Sequence, residues 1–146
     1  MSRLSNLHPY PAMVPDKLAT NLCEKYVKPN DRVLDPFCGT GRTIIAASEV
    51  GAFSIGIDVN PLAILIAEAK TKNISPESLL EIIQELRYGE EENLSHNFYN
   101  LEFGRKVDWF STKANLELQS IISWINKKRF NEPELSLLAV ILSATV

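Results

Sequence analysis

Apolar and polar positions fall into three regimes along the chain. The first is an extended lead-in. Pro9, Pro11 and Pro15 in "HPYPAMVP" hold their neighbours away from helix, so a helix is expected only from about Asp16 to Tyr26. In the second regime, short apolar runs alternate with helical ones. After the turn "KPNDR", "RVLDPF" reads as a short, fully buried strand, because Val33 and Leu34 run straight into a glycine loop. "GRTIIAASEVG" predicts a helix stopped by Gly51, and "AFSIGID" a second strand. "PLAILIAEAKTKN" predicts a second helix, with Pro61 in the first turn where a missing N–H costs nothing. Strand, glycine loop, helix, strand, helix is the opening of a doubly wound α/β sheet.

The third regime begins after Asn73. "SPESLLEIIQELRYG" has Ser75 as N-cap, Pro76 at the first helical position and Glu77 in the first turn, although Ser78 stands where a capping box wants Glu or Gln. Leu79, Ile82, Ile83 and Leu86 give that helix one apolar face. "EEENLSHNFYNLEFGRKVDWFS" is irregular, with room for a short helix. "TKANLELQSIISWINKKRF" predicts another helix on Leu116, Ile121, Ile122 and Ile125. "EPELSLLAVILSATV" is almost wholly apolar toward its end, as in a buried helix. Two outcomes are expected for it: packing into this chain's own core, or continuation into something else. The sequence thus divides into an α/β segment, 1–73, and a mainly helical segment, 74–146.

Composition narrows the classes. At 146 residues the chain has the size of one domain, and with 45% apolar and 23% charged residues it reads as globular. No apolar run reaches the ~18 residues of a membrane span. The N-terminus has no apolar signal core, and Cys23 and Cys38 suit a reducing cytoplasm, which is the expected location. Two cysteines and the distant His8 and His96 offer no metal spacing, so no metal is expected. The net charge of −3 argues against a domain that grips a duplex unaided, because phosphate contacts need a basic excess. The one dense basic cluster, Lys127, Lys128 and Arg129, reads as a solvated helix end.

The candidate chemistry lies in "VLDPFCGTGRTIIAASEVGAFSIGIDVNPLA". Gly39 and Gly41 allow a sharp bend and close approach of a ligand, and the next helix aims unpaired N–H groups at the loop, favouring a carboxylate or phosphate. Asp58 ends the second strand seventeen residues after Gly41, where it can accept both hydroxyls of a ribose. Hydrogen bonds to a charged acceptor contribute about 1.5–3 kcal/mol net, enough to fix a nucleoside. An NTPase loop would need a lysine after its last glycine, where Arg42 stands, and a dinucleotide loop a third glycine, where Ile44 stands. A ligand with a ribose and a carboxylate but no phosphate remains, and S-adenosylmethionine fits. Asp35, at the first strand's end, would face its α-amino group.

These residues carry a resemblance. "HPYPAMVP", "VLDPFCGTGRTIIAA" and "GIDVNPLA" together resemble the amino-group DNA methyltransferases, which methylate N4 of cytosine or N6 of adenine, over about the first 72 residues. The resemblance implies an incomplete Rossmann-like, S-adenosylmethionine-dependent fold with a helical C-terminal segment, and DNA methylation of the restriction–modification kind. By position it implies that Tyr10, Ala12 and Met13 line the methionine end of the cofactor. Pro36, Phe37, Gly39, Gly41 and Thr43 would lie under that end; Asp58 would hold the ribose, with Val59 and Asn60 near the adenine. RNA methyltransferases share a similar "DPFCGTG" loop, and a non-catalytic cofactor-binding subunit would share the whole segment. Cys38 sits inside the cofactor loop and reads as a small buried residue, not a nucleophile.

Methylating an exocyclic amine also requires acceptors on the NH₂ group and an aromatic platform for the extruded base. The family supplies these through an Asp, Asn or Ser followed by Pro-Pro and an aromatic, and this sequence has no Pro-Pro pair. No catalytic residue is therefore assigned, and the chain alone is expected to be inactive. It is expected to be the cofactor-binding half of an enzyme whose catalytic half, and most of the DNA contact, comes from a continuation or a complementary chain. Without that half, self-association through the open sheet is expected.

Overall fold

The computed structural model describes residues 7–11, 13–92 and 110–145. Ala12 and most of the stretch read as irregular, 93–109, lie outside the described residues. Helix α1 runs Asp16–Tyr26, and strands β1 (Arg32–Asp35) and β2 (Phe53–Gly56) pair in parallel, with Arg32 opposite Phe53 and Asp35 opposite Gly56. A parallel pair cannot be closed by a tight hairpin, and α2 (Arg42–Glu49) supplies the crossover. Helix α3 (Pro61–Thr71) opens on Asn60, whose Oδ1 accepts the Leu62 N–H at 3.0 Å, with Pro61 in its first turn. Helices α4 (Pro76–Glu92), α5 (Thr112–Lys127) and α6 (Glu132–Thr145) follow. The described architecture is α/β around a two-stranded parallel sheet.

The chain forms two compact units, one of residues 1–73 with 132–146 and the other of 74–131. In the first unit, α1 and α2 bury Ala19, Cys23, Ala46 and Ala47 against Val27, Val33, Val50 and Ala52. A second cluster joins α3 to α6 through Ile66, Ala69 and Val140, with Leu7 and Tyr10 of the lead-in packed on it. Ile66 and Val140 are the largest fully buried side chains, each worth about 1.5–3 kcal/mol of burial. Polar contacts fix the register of α6. Ser136 Oγ donates to Glu68 at 3.2 Å, Lys72 bridges Glu68 and Glu132, and His8 Nε2 lies 3.2 Å from Ser143 Oγ. The apolar C-terminal run thus packs within the chain, on the α/β unit.

In the second unit, Ser75 Oγ accepts the Ser78 N–H at 3.0 Å to start α4, and Ser111 caps α5 through the Ala114 N–H at 3.2 Å. Ser78 Oγ bonds Ser75 Oγ at 3.2 Å, a shorter substitute for the capping-box carboxylate. Lys128 pairs with Glu85, and Trp124 meets Phe130 edge-on with ring centroids 5.0 Å apart.

Strand burial departs from the expectation. Both strands alternate between exposed and half-buried positions, leaving Leu34 and Ile55, which face each other in register, 64% and 65% exposed. Phe53 and Ile57 are also exposed. A parallel strand is fully buried only with cover on both faces. Here the helices cover the face that carries Val33 and leave the other open.

Candidate functional site

The site grows from the C-terminal ends of the two parallel strands, where ligands collect in open α/β sheets. Past Asp35 the ladder continues for one step, with the Ile57 N–H bonded to the Asp35 carbonyl and the Cys38 N–H to the Ile57 carbonyl, each at 2.9 Å. The chain then turns tightly: the Gly41 N–H donates to the Cys38 carbonyl at 2.8 Å, with φ of +51° at Gly39 and +78° at Gly41. Only glycine adopts that backbone without strain.

Gly41 needs its hydrogen for a second reason. A Cβ there would lie 2.9 Å from the Ala67 Cβ of α3, so the loop rests directly on that helix. A Cβ at Gly39 would meet nothing within 4 Å. One glycine seats the loop; the other faces open space.

Asp58 ties the two strand ends together. Its Oδ2 accepts the Gly39 N–H and its Oδ1 the Asn60 N–H, both at 2.8 Å. The Asn60 and Gly39 N–H groups, in that order, hold its carboxyl below the ordinary range against the opposing effect of burial. The Val59 N–H acts on it in the same direction, and a carboxylate offers about four acceptor positions, more than these three backbone donors fill. Asp35 Oδ1 accepts the Phe37 N–H at 3.1 Å.

The proline-rich lead-in is anchored over this loop. Tyr10 Oη accepts from Asn60 Nδ2 at 2.8 Å, Arg42 Nη2 lies 3.6 Å from Met13 Sδ, and Arg42 also pairs with Asp16. Between lead-in and loop lies a cleft of about 60 Å³, whose lining includes Tyr10, Met13, Asp35, Phe37, Gly39 and Thr43. That is well below the ~300 Å³ at which pockets begin to enclose whole ligands, so the cleft has room for only one end of a molecule. Gly41 supports it from behind, and Asp58 and Asn60 join it through Gly39 and Tyr10. Pro36 is exposed, Val59 is 98% exposed, and Ala12 lies outside the described residues.

Two features of the cleft suit an anionic or polar ligand end. Helix α2 begins at Gly41 with no side-chain cap, and its first-turn N–H groups have no acceptor inside the helix. Thr40, which also lines the cleft, is 3% exposed, and its Oγ1 is buried with no hydrogen-bond partner. A buried hydroxyl left unpaired costs roughly 1–3 kcal/mol, which a bound acceptor or donor would remove. Burial, then the charges of Asp35 and Asp58, push the Cys38 thiol up, so it stays protonated and unreactive at neutral pH. Among the described residues no cluster of three metal-ligating side chains occurs, and no helix is long and apolar enough to cross a membrane.

Sequence pattern does not single out Thr40, Arg42 or Lys70 as site residues. Lys70 is 6% exposed on α3, and its Nζ donates to the Thr40 carbonyl at 3.4 Å. The available signal was its position: Ala63, Ile66, Ala67 and Lys70 follow i, i+3, i+4, i+7 spacing, so a lysine closes an otherwise apolar stripe.

Comparison with known proteins bears on the family. Residues 2–69 match the family model of the DNA methylases that groups N6 and N4 methyltransferases. Type II methyltransferase M.MvaI of Kocuria varians is 34% identical over 130 residues, covering 82% of this chain and 29% of the relative. Type II methyltransferase M.MjaII of Methanocaldococcus jannaschii is 30% identical over 109 residues, covering 75% of this chain and 20% of the relative. A tRNA (guanine(10)-N2)-dimethyltransferase of Methanothermobacter thermautotrophicus is 42% identical over 52 residues, only 35% of this chain and 16% of the relative. The chain spans less than a third of the length of these relatives. No solved structure matches it significantly.

Proposed function

Through residues 2–69 the chain belongs to the DNA methylase family, and from that premise we propose that it is the S-adenosylmethionine-binding part of a DNA methyltransferase. The enzyme methylates an exocyclic amine, N4 of cytosine or N6 of adenine. The β1–β2 pair with its helices is the beginning of a Rossmann-like sheet that other segments complete. The observation that carries the reading is the bond from the Gly39 N–H to Asp58 at 2.8 Å, which joins the glycine bend to a carboxylate with acceptor capacity to spare.

The donor set fits the cofactor. First-turn N–H groups of α2 and the orphaned Thr40 hydroxyl receive the carboxylate of the methionine tail, and Asp35 its ammonium group. Asp58 accepts the ribose hydroxyls with the lone pairs that the loop leaves over. Tyr10 and Met13 cover the tail, and Ala12 belongs with them by sequence position alone; Pro36, Phe37, Gly39, Gly41 and Thr43 form its floor. Val59 flanks the adenine, and Asn60, bonded to Tyr10, couples that side to the lead-in. When bound, S-adenosylmethionine supplies an electrophilic methyl group. This chain's residues orient it and keep water from the tail; none is assigned to catalysis.

The groups that accept the amine's protons and stack the extruded base come from elsewhere, since the chain has no Pro-Pro-aromatic motif. A continuation or a complementary polypeptide carries them, packing on the exposed Leu34, Phe53, Ile55 and Ile57 face, and holds most of the DNA. Titration calorimetry with S-adenosylhomocysteine, followed by methyl-transfer assays on DNA and RNA with and without that complement, tests the reading. Binding plus DNA methylation only with the complement is the expected result. Methylation of RNA alone would favour an RNA enzyme, binding without turnover a regulatory subunit, and no binding would refute the cofactor assignment.

A further inference from the structure

Lys70 is a buried cation. It is 6% exposed, and among the described residues it forms no ion pair. Its neighbours are otherwise engaged: Arg42 pairs with Asp16, while Glu68 and Glu132 pair with Lys72. The hydrogen bond from Nζ to the Thr40 carbonyl, at 3.4 Å, is long for a charged donor. An apolar residue of the same length would pack α3 against the loop at lower free energy. Burial, then the Arg42 charge, push the ammonium down to about 8, so it remains mostly charged at neutral pH.

The lysine is also in a telling place. Thr40, whose carbonyl it holds, lines the cleft and has its own hydroxyl orphaned. Ala67, one turn earlier on α3, lies directly beneath Gly41. Helix α3 therefore supports the glycine loop at two adjacent points, one by contact and one by charge. A ligand carboxylate arriving at that loop would supply the negative charge that no described residue pairs with Lys70.

We propose that Lys70 is a positioning residue for the cofactor tail: from α3 it holds the Thr40 carbonyl and sets a buried positive charge behind the loop, which selects ligands ending in a carboxylate. This rests on the S-adenosylmethionine reading above. Lys70 touches the loop and not the ligand, so its effect is electrostatic discrimination between tails and not adhesion to the nucleoside.

The test compares two thioethers that share the nucleoside. S-adenosylhomocysteine carries the amino-acid tail, whereas methylthioadenosine lacks it. Calorimetric affinities are measured near neutral pH for the full polypeptide and its Lys70→Met and Lys70→Arg variants. Lys70→Met is expected to weaken S-adenosylhomocysteine about tenfold, from the Coulomb interaction of two charges across the loop, and methylthioadenosine less than about twofold. Lys70→Arg, which keeps the charge, restores much of the discrimination. Equal weakening of both ligands, no weakening of either, or a Lys70→Met chain that fails to fold would overturn the proposal, because each makes Lys70 a packing residue. Failure of the unaltered protein to bind either ligand would instead remove the cofactor reading on which it rests.

Discussion

A single methyl group separates the two glycines of the loop. In Gly41→Ala the new Cβ would lie 2.9 Å from the Ala67 Cβ and 3.2 Å from its Cα, and the second contact is helix backbone that cannot swing aside. The φ of +78° adds a left-handed penalty of roughly 1–2 kcal/mol for an L-residue. Forcing a methyl into a filled site typically costs about 1–3 kcal/mol more. The sum, about 2–5 kcal/mol, is a large part of the roughly 5–15 kcal/mol that stabilises a typical domain. Gly39→Ala incurs only the backbone part, at φ +51°, because its Cβ would meet nothing within 4 Å. Urea unfolding followed by circular dichroism measures the difference, read from the midpoints at constant slope. Gly41→Ala should be the worse by at least about 1 kcal/mol, whereas Gly39→Ala should keep the fold and lose ligand affinity. Equal costs at the two positions would mean that α3 does not press on the loop, and the account of the site's back wall would fail.

Asp58→Asn replaces one acceptor of the Gly39 or Asn60 N–H with a donor, and S-adenosylhomocysteine affinity should fall at least about tenfold by calorimetry. Because the folded carboxyl titrates below its ordinary range, its contribution to stability is present above that range and lost as pH falls through the folded value. An acid titration monitored by circular dichroism should show that limb in the natural chain and not in Asp58→Asn. Lys70→Met should raise stability near neutral pH by up to about 3 kcal/mol, since the lysine's ordinary 10.5 drops to about 8 on folding. The unfolded chain binds the extra proton between those values, so the gap should close as pH rises from about 8 toward 10.5 in melting experiments; a pH-independent gap would contradict it. Ile55→Asp, opposite Leu34 on the exposed sheet face, should change the chain's own stability by less than about 0.5 kcal/mol yet abolish co-elution with a catalytic complement. Undiminished co-elution would move the docking surface elsewhere.

Local grammar made much of the first unit legible. Helix α1 is read as Asp16–Tyr26 because prolines forbid an earlier start, and Pro61 after Asn60 marks α3 as clearly as the observed cap does. The strands were legible as elements but not in their exposure. An apolar run such as "RVLDPF" states that a face wants cover, and says nothing of which polypeptide supplies it. Helix α6 shows the same limit. Its residues are apolar nearly all round, so no face encodes a direction, and the contact of Val140 with Ile66 and Ala69 is a tertiary fact. That is why the terminal run joins the α/β unit although it follows the helical segment in sequence.

The site divides along the same line. Gly39, Gly41 and Asp58 are readable because a tight bend needs glycines and a strand end sets a carboxylate at fixed spacing, and the structure bonds Gly39 to Asp58. Lys70 answers no such spacing rule. It breaks one, standing in the stripe of Ala63, Ile66 and Ala67 where a buried ammonium has no internal reason to be. Local violations that a fold tolerates tend to mark where it does something besides fold. Two opposite charges therefore meet one bend: Asp58, which accepts the Gly39 N–H, and Lys70, which donates to the Thr40 carbonyl. A neutral nucleoside would exploit only the first. In the proposed complex a nucleoside with a carboxylate tail exploits both, and there the buried lysine, more than the glycines, would separate a site for such a ligand from a tight turn that binds nothing.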